Sequence, residues 1–229
     1  MAYFYIYEGK ADNLTESDFD ASLAAAGDAS LGEGLKQIYD PDRGGSYVLP
    51  RMSARGNFSK WWWISMRVAT DFVWGLGPCA HRALARSLVA GGTPSVHAYF
   101  FTHPTQTDST DGGVPGVGPG SVVVPHASEI PYAYSDASQL TPGEEADLAT
   151  GVGAYWIAFA LDTSAGGDPN PRGPGANHSV QWPAYDAKSD KVLRFDVESA
   201  GGIRVQSGLR QTACDFMDAH KKPDPPLRP

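Results

Sequence analysis

An α/β fold is what the amino-acid sequence predicts, and three observations point to it. Helical and strand-like patterns alternate along the chain. A buried strand pattern, SVHAYFF (95–101), is followed after a long loop by a strong helix opening at TPGEEADL (141–148). A β-hairpin pattern comes next, KVLRFDV, then SAGG, then IRVQS (191–207). Few strong strands are visible, and an open parallel sheet needs neighbours for its first strand. The pattern therefore fits the C-terminal part of an α/β sheet domain better than an independent fold.

Each element has a local reason. MAYFYIYEGK reads as a strand over Tyr3–Tyr7, from its aromatic and β-branched residues. LTESDFDASLAAAG (14–27) reads as a short helix with Thr15 or Ser17 as its N-cap, and LGEGLKQIYD (31–40) as another. Residues 41–57 are loop by their Gly, Pro and Ser content. KWWWISMRVATDFVW (60–74) has apolar residues at helical spacing, with Trp61, Trp62 and Trp63 as packing residues. In PCAHRALARSLVAGG (78–92), Pro78 suits the first turn and Gly91 the C-cap. The polar stretch 102–121 is long enough to be a functional loop. Thr141 is the expected cap of the next helix, with Pro142 at its first position and Glu144 closing a capping box. LRQTACDFMDAH (209–220) is a last helix, and KKPDPPLRP (221–229) a disordered tail. Residues 1–220 read as one unit without an internal repeat.

Composition sets bounds. The 229 residues carry a formal net charge of -8, which argues against a nucleic-acid partner, since phosphate binding needs a basic face. No apolar run approaches the ~20 residues that span a bilayer. The first ten residues lack the basic-then-apolar layout of a signal peptide. Cys79 and Cys214 are too far apart for a CxxC motif, and the histidines show no HxxxH spacing, so no metal is expected. Three of the four asparagines, Asn13, Asn57 and Asn177, begin glycosylation sequons. That leans towards a secretory product, and hence towards a chain that is incomplete at its N-terminus.

Among six histidines, His126 has the most telling surroundings. An apolar run, VVVP (122–125), ends directly before it, a glycine-rich loop precedes that run, and Glu129 follows. In α/β-hydrolases the catalytic histidine sits on a loop after a late strand, in the chain order Ser, then Asp or Glu, then His.

Several segments then match one family in order: TDFVWGLGPCAHRALARSL, HAYFFTHP, VPHASEIPYAYS, YWIAFALDTSAGGDPNP, QWPAYD and LRQTACDFMDAH. Together they resemble the type-B carboxylesterases, which include the cholinesterases, over nearly the whole chain. The resemblance implies an α/β-hydrolase fold, hydrolysis of small-molecule carboxylic esters through an acyl-enzyme, and no cofactor. It makes His126 the catalytic histidine and Glu129 a carboxylate bracing its loop. It implies a disulfide between Cys79 and Cys214, and an ion pair of Asp71 with Arg210. The sequons, with this disulfide, lean towards a secreted or secretory-pathway protein.

The match has departures. Many members carry glycine after the histidine, where this chain has Ala127. No G-x-S-x-G nucleophile elbow and no HGGG-type oxyanion motif occurs in the 229 residues. Both lie upstream in the family, so the chain resembles a C-terminal portion, with the isolated chain expected to be inactive. The acid has two registers. In one, AYFYIYEG aligns with the aromatic stretch after the acid, which then precedes Met1, and Tyr3 and Phe4 match pocket-lining positions. In the other, Glu8-Gly9 is the Glu-Gly of the motif. The rival reading is a non-catalytic, cholinesterase-like binding or adhesion module. No carboxylate pair singles out a glycosidase.

Overall fold

The structure is a computed structural model that describes residues 13–45, 58–72, 77–104, 124, 127–162, 167–172 and 180–220. The chain divides into two compact units. One comprises residues 1–51, 55–81 and 210–229, the other residues 52–54 and 82–209.

In the first unit the described elements are helices and 3₁₀ turns. Helix α1 (Glu16–Ala25) starts at Thr15, whose Oγ1 accepts a hydrogen bond from the Asp18 amide. The Asp18 carboxylate accepts in return from the Thr15 amide at 2.9 Å, completing a capping box. Leu14 and Phe19, on either side of that box, are both buried. A 3₁₀ turn (Ala29–Leu31) leads into α2 (Gly32–Tyr39). Part of the stretch expected as loop forms a second 3₁₀ turn (Pro41–Arg43), because Asp40 accepts from the Asp42 amide at 3.0 Å and Gly44 adopts the left-handed φ that ends it.

Helix α3 (Lys60–Phe72) covers the described part of its apolar pattern. It buries Trp62, Trp63 and Ile64, while Trp61 lies against Phe19 with ring centroids 5.6 Å apart. Phe19, Leu35, Tyr39, Ile64 and Ala213 share one core. Helix α7 (Gln211–His220) approaches α2 so closely that a Cβ on Gly34 would overlap the Phe216 ring.

Helix α4 (Pro78–Ala90) begins in this unit, and its Cys79 is disulfide-bonded to Cys214 on α7, with Cα atoms 5.0 Å apart. The partners are 135 residues apart in sequence. Closing so long a loop removes about 5 kcal/mol of unfolded-chain entropy in the chain-entropy model.

The second unit holds a mixed sheet. Helix α4 ends there in a Schellman motif: Gly92 N–H donates to Val89 O, Thr93 N–H to Leu88 O, and Gly92 takes φ +81. Strand β1 (Tyr99–Phe101) pairs parallel with β2 (Val192–Phe195), which pairs antiparallel with β3 (Arg204–Gln206). The β2–β3 hairpin is as the sequence predicts, with a 3₁₀ turn at Glu198–Ala200 between the strands. β1 is shorter than the apolar run 95–101. The Val96 carbonyl accepts from Tyr185 N–H at 2.6 Å, in an irregular segment, while the Ala98 carbonyl accepts both from Leu193 N–H of β2 at 3.0 Å and from Trp182 Nε1–H at 2.9 Å.

Helix α5 (Ile130–Ala133), absent from the sequence expectation, is one turn opened by Pro131. Helix α6 (Glu144–Leu161) crosses between the parallel strands and buries Leu148, Val152 and Tyr155 with Phe101, Leu193 and Phe195.

Among the described residues, no helix is long and apolar enough to cross a membrane. The strand expected at 3–7, the loop at 105–121 and the tail 221–229 lie outside them.

Candidate functional site

The segment that follows position 126 is built around carboxylate Glu145. His126 itself lies outside the described residues, as do Tyr3, Phe4 and Glu8. Ala127 is described, and it adopts φ +69, the left-handed region that disfavours a Cβ. Glu129 directly precedes α5 and accepts from the Tyr99 hydroxyl at 3.5 Å. Burial and the charge of Glu129 push the Tyr99 phenol up to about 12.

Three residues later the chain is anchored. Tyr132 on α5 is fully buried, and its hydroxyl donates to Glu145 Oε1 at 2.8 Å. His103, two residues past β1, places Nε2 2.8 Å from the same oxygen. The other oxygen, Oε2, accepts from the Thr141 amide at 2.7 Å and from its hydroxyl at 2.6 Å. These contacts correct the expected cap. Gly143 is the N-cap residue of α6, and Glu145, not Glu144, reaches back to Thr141. Glu144 instead accepts from the amide and hydroxyl of Ser199.

On its far side His103 Nδ1 stands 3.6 Å from Asp196 Oδ1. Asp196 also accepts from the Thr102 hydroxyl and from Arg194, each at 2.6 Å. Burial opposes the charge on each member of this cluster, but the contacts outweigh it. Hydrogen bonds from Thr141, Tyr132 and His103 hold Glu145 at about 2. Those from His103, Thr102 and Arg194 hold Asp196 at about 2. The two carboxylates raise His103 above its ordinary value.

A cleft of about 390 Å³ opens beside this cluster, lined by His103, Thr141, Pro142, Glu144, Glu145, Val197 and Ser199. Carboxylates face both ring nitrogens of His103, Glu145 at 2.8 Å and Asp196 at 3.6 Å, so the ring joins three pieces of chain. Sequence reasoning assigned His103 no role. Only the fold brings residues 103, 132, 145 and 196 together, and no local pattern announces that.

Asp71, in the first unit, is fully buried. It accepts from the Tyr39 hydroxyl at 2.7 Å and lies 3.4 Å from Arg210 Nε. Burial raises its carboxyl, and Arg210 and Arg67 offset that only in part. Among the described residues, no group of three or more His, Cys, Asp or Glu side chains could hold a metal ion.

Parallel strands joined through a helix that covers them define an α/β domain. The chain belongs to the carboxylesterase family, whose sequence profile matches residues 15–217. The family has the α/β-hydrolase fold and acts on small-molecule esters. No curated protein matches the chain.

Proposed function

We propose that the chain is the C-terminal portion of a carboxylic ester hydrolase and supplies its catalytic histidine, His126. The observation that carries this reading is the carboxylesterase-family match, which spans residues 15–217 and so includes position 126. In the reaction, His126 takes the proton of a serine as that serine attacks the ester carbonyl, then returns it to the leaving alcohol.

The surroundings of the histidine segment support the role. A general base works only when its ring is held within ~2.6–3.2 Å of the nucleophile. Tyr132 on Glu145 fixes α5 a few residues downstream of His126, and Glu129 braces the start of that turn through Tyr99. The acid is the residue before Met1, with Tyr3 and Phe4 lining the acyl side, or in the second register Glu8. Residues 1–220 serve as one portion of the hydrolase domain, followed by a tail. The Cys79–Cys214 disulfide and the three sequons support a secretory route.

No nucleophile elbow or oxyanion motif occurs within these 229 residues, so the serine has to come from sequence outside them. That same observation favours the second reading, a non-catalytic binding module. Labelling with a fluorophosphonate probe separates the two. The 229-residue chain alone should not label, whereas the chain joined to its upstream coding segment should. Failure of the longer protein to label would support the binding module.

A further inference from the structure

We propose that Asn13 carries an N-linked glycan, attached before α1 folds. Two independent observations lead to it. The first is local. Asn13-Leu-Thr15 is a sequon, and Asn13 is exposed in the turn ahead of α1. The next residue, Leu14, is buried at 3 % exposure, so the chain is pinned at 14 while 13 stays in solvent. Asn13 precedes the first helical residue, Glu16, so a glycan there does not lengthen or interrupt the helix. The second observation is the disulfide between Cys79 and Cys214, with both cysteines buried. Such bonds form and persist in oxidising compartments, where sequons are also read.

The structure further fixes the order of events. The sequon hydroxyl, Thr15 Oγ1, donates to Asp18 Oδ2 at 2.6 Å and accepts from the Asp18 amide at 3.3 Å. Once the capping box has closed, that hydroxyl is committed to the helix end. A transferase that recognises the free hydroxyl must therefore act on the unfolded or emerging chain. The donor is an oligosaccharide linked to a lipid diphosphate. Asn13 Nδ2 attacks the anomeric carbon, the N–C bond forms as the C–O bond to the diphosphate breaks, and the lipid diphosphate leaves with the electron pair. The proton lost from Nδ2 passes to a base of the transferase.

The test is expression of the full chain behind a cleavable secretory leader in a eukaryotic host. The product is treated with a peptide N-glycosidase in heavy-oxygen water, and the peptide holding residue 13 is read by mass spectrometry. Asn13 should convert to heavy-labelled Asp in the wild type and in Thr15→Ser. The Asn13→Gln and Thr15→Val variants should show no glycan at this site. Protein folded without a glycan and then offered to microsomal transferase should accept at least tenfold less at Asn13 than nascent chain does. An unmodified Asn13 peptide in chains whose Cys79–Cys214 bond is oxidised would overturn the proposal. So would secreted chains with both cysteines reduced, or equal modification of folded and nascent chains.

Discussion

Ala127 is the residue where sequence and geometry conflict most sharply. Its φ of +69 suits glycine, the residue that many carboxylesterases resembling this chain carry after the histidine. An L residue there costs ~1–2 kcal/mol, offset in part by the smaller backbone entropy of alanine in the unfolded chain. Ala127→Gly should therefore leave stability unchanged or raise it by up to ~1 kcal/mol, read by urea unfolding. A loss greater than ~1 kcal/mol would show that the Cβ makes a contact that outweighs the strain. Asp71 presents the opposite case, a charge kept in the interior by Tyr39 and Arg210. Asp71→Ala leaves the Tyr39 hydroxyl without its acceptor and should cost at least ~1–3 kcal/mol in the same assay.

At the scale of elements, the start of α6 and the approach of α2 to α7 are the most exacting. Glu145 is buried and takes four hydrogen bonds, whereas Glu144 binds Ser199 at the surface. Glu145→Ala should cost ~3 kcal/mol or more by leaving Tyr132, Thr141 and His103 without their acceptor, and Glu144→Ala less than ~1. Equal losses in thermal unfolding would contradict the assignment of the cap. Gly34→Ala would normally favour a helix interior. Here the added methyl meets the Phe216 ring, so destabilisation of ~1–3 kcal/mol is expected. Most elements were legible in the sequence because their signals are local. Thr15, one of two candidate caps with Ser17, opens α1, Gly91 closes α4, and alternating residues mark the β2–β3 hairpin. The cap of α6 falls on the other glutamate because TPGEE offers two carboxylates, and Gly143, at a positive φ, takes the N-cap two residues after Thr141. Helix α5 was missed because one turn of four residues has no periodicity to read.

For the whole molecule, pH dependence follows from the His103 cluster. The folded pKa of His103 is raised, so its stabilisation is complete below the ordinary histidine value and is lost as pH rises through the folded value. Glu145 and Asp196 are depressed to about 2, so their contribution is complete above their ordinary range and is lost as pH falls towards 2. Stability should therefore be greatest between about pH 5 and 6.5. His103→Gln should flatten the alkaline limb and leave part of the acid limb. An unchanged alkaline limb in that variant would remove His103 from the account. The cluster itself was beyond the sequence, because its members lie up to 93 residues apart and meet only across β1, α5, α6 and β2. The family, by contrast, was legible from ordered short motifs, each weak alone.

The role of His126 is the central claim, and turnover of its alanine variant tests it most directly. The protein to use is the chain joined to its upstream coding segment, with a p-nitrophenyl ester as substrate. His126→Ala should lower kcat by ~10³-fold or more with KM little changed, since the ring acts in the transition state rather than in binding. His103→Ala should unfold the protein more readily yet leave kcat of the folded fraction within about tenfold, because that ring is closed off by two carboxylates. Hydrolysis by the His126→Ala protein at the wild-type rate would contradict the assignment.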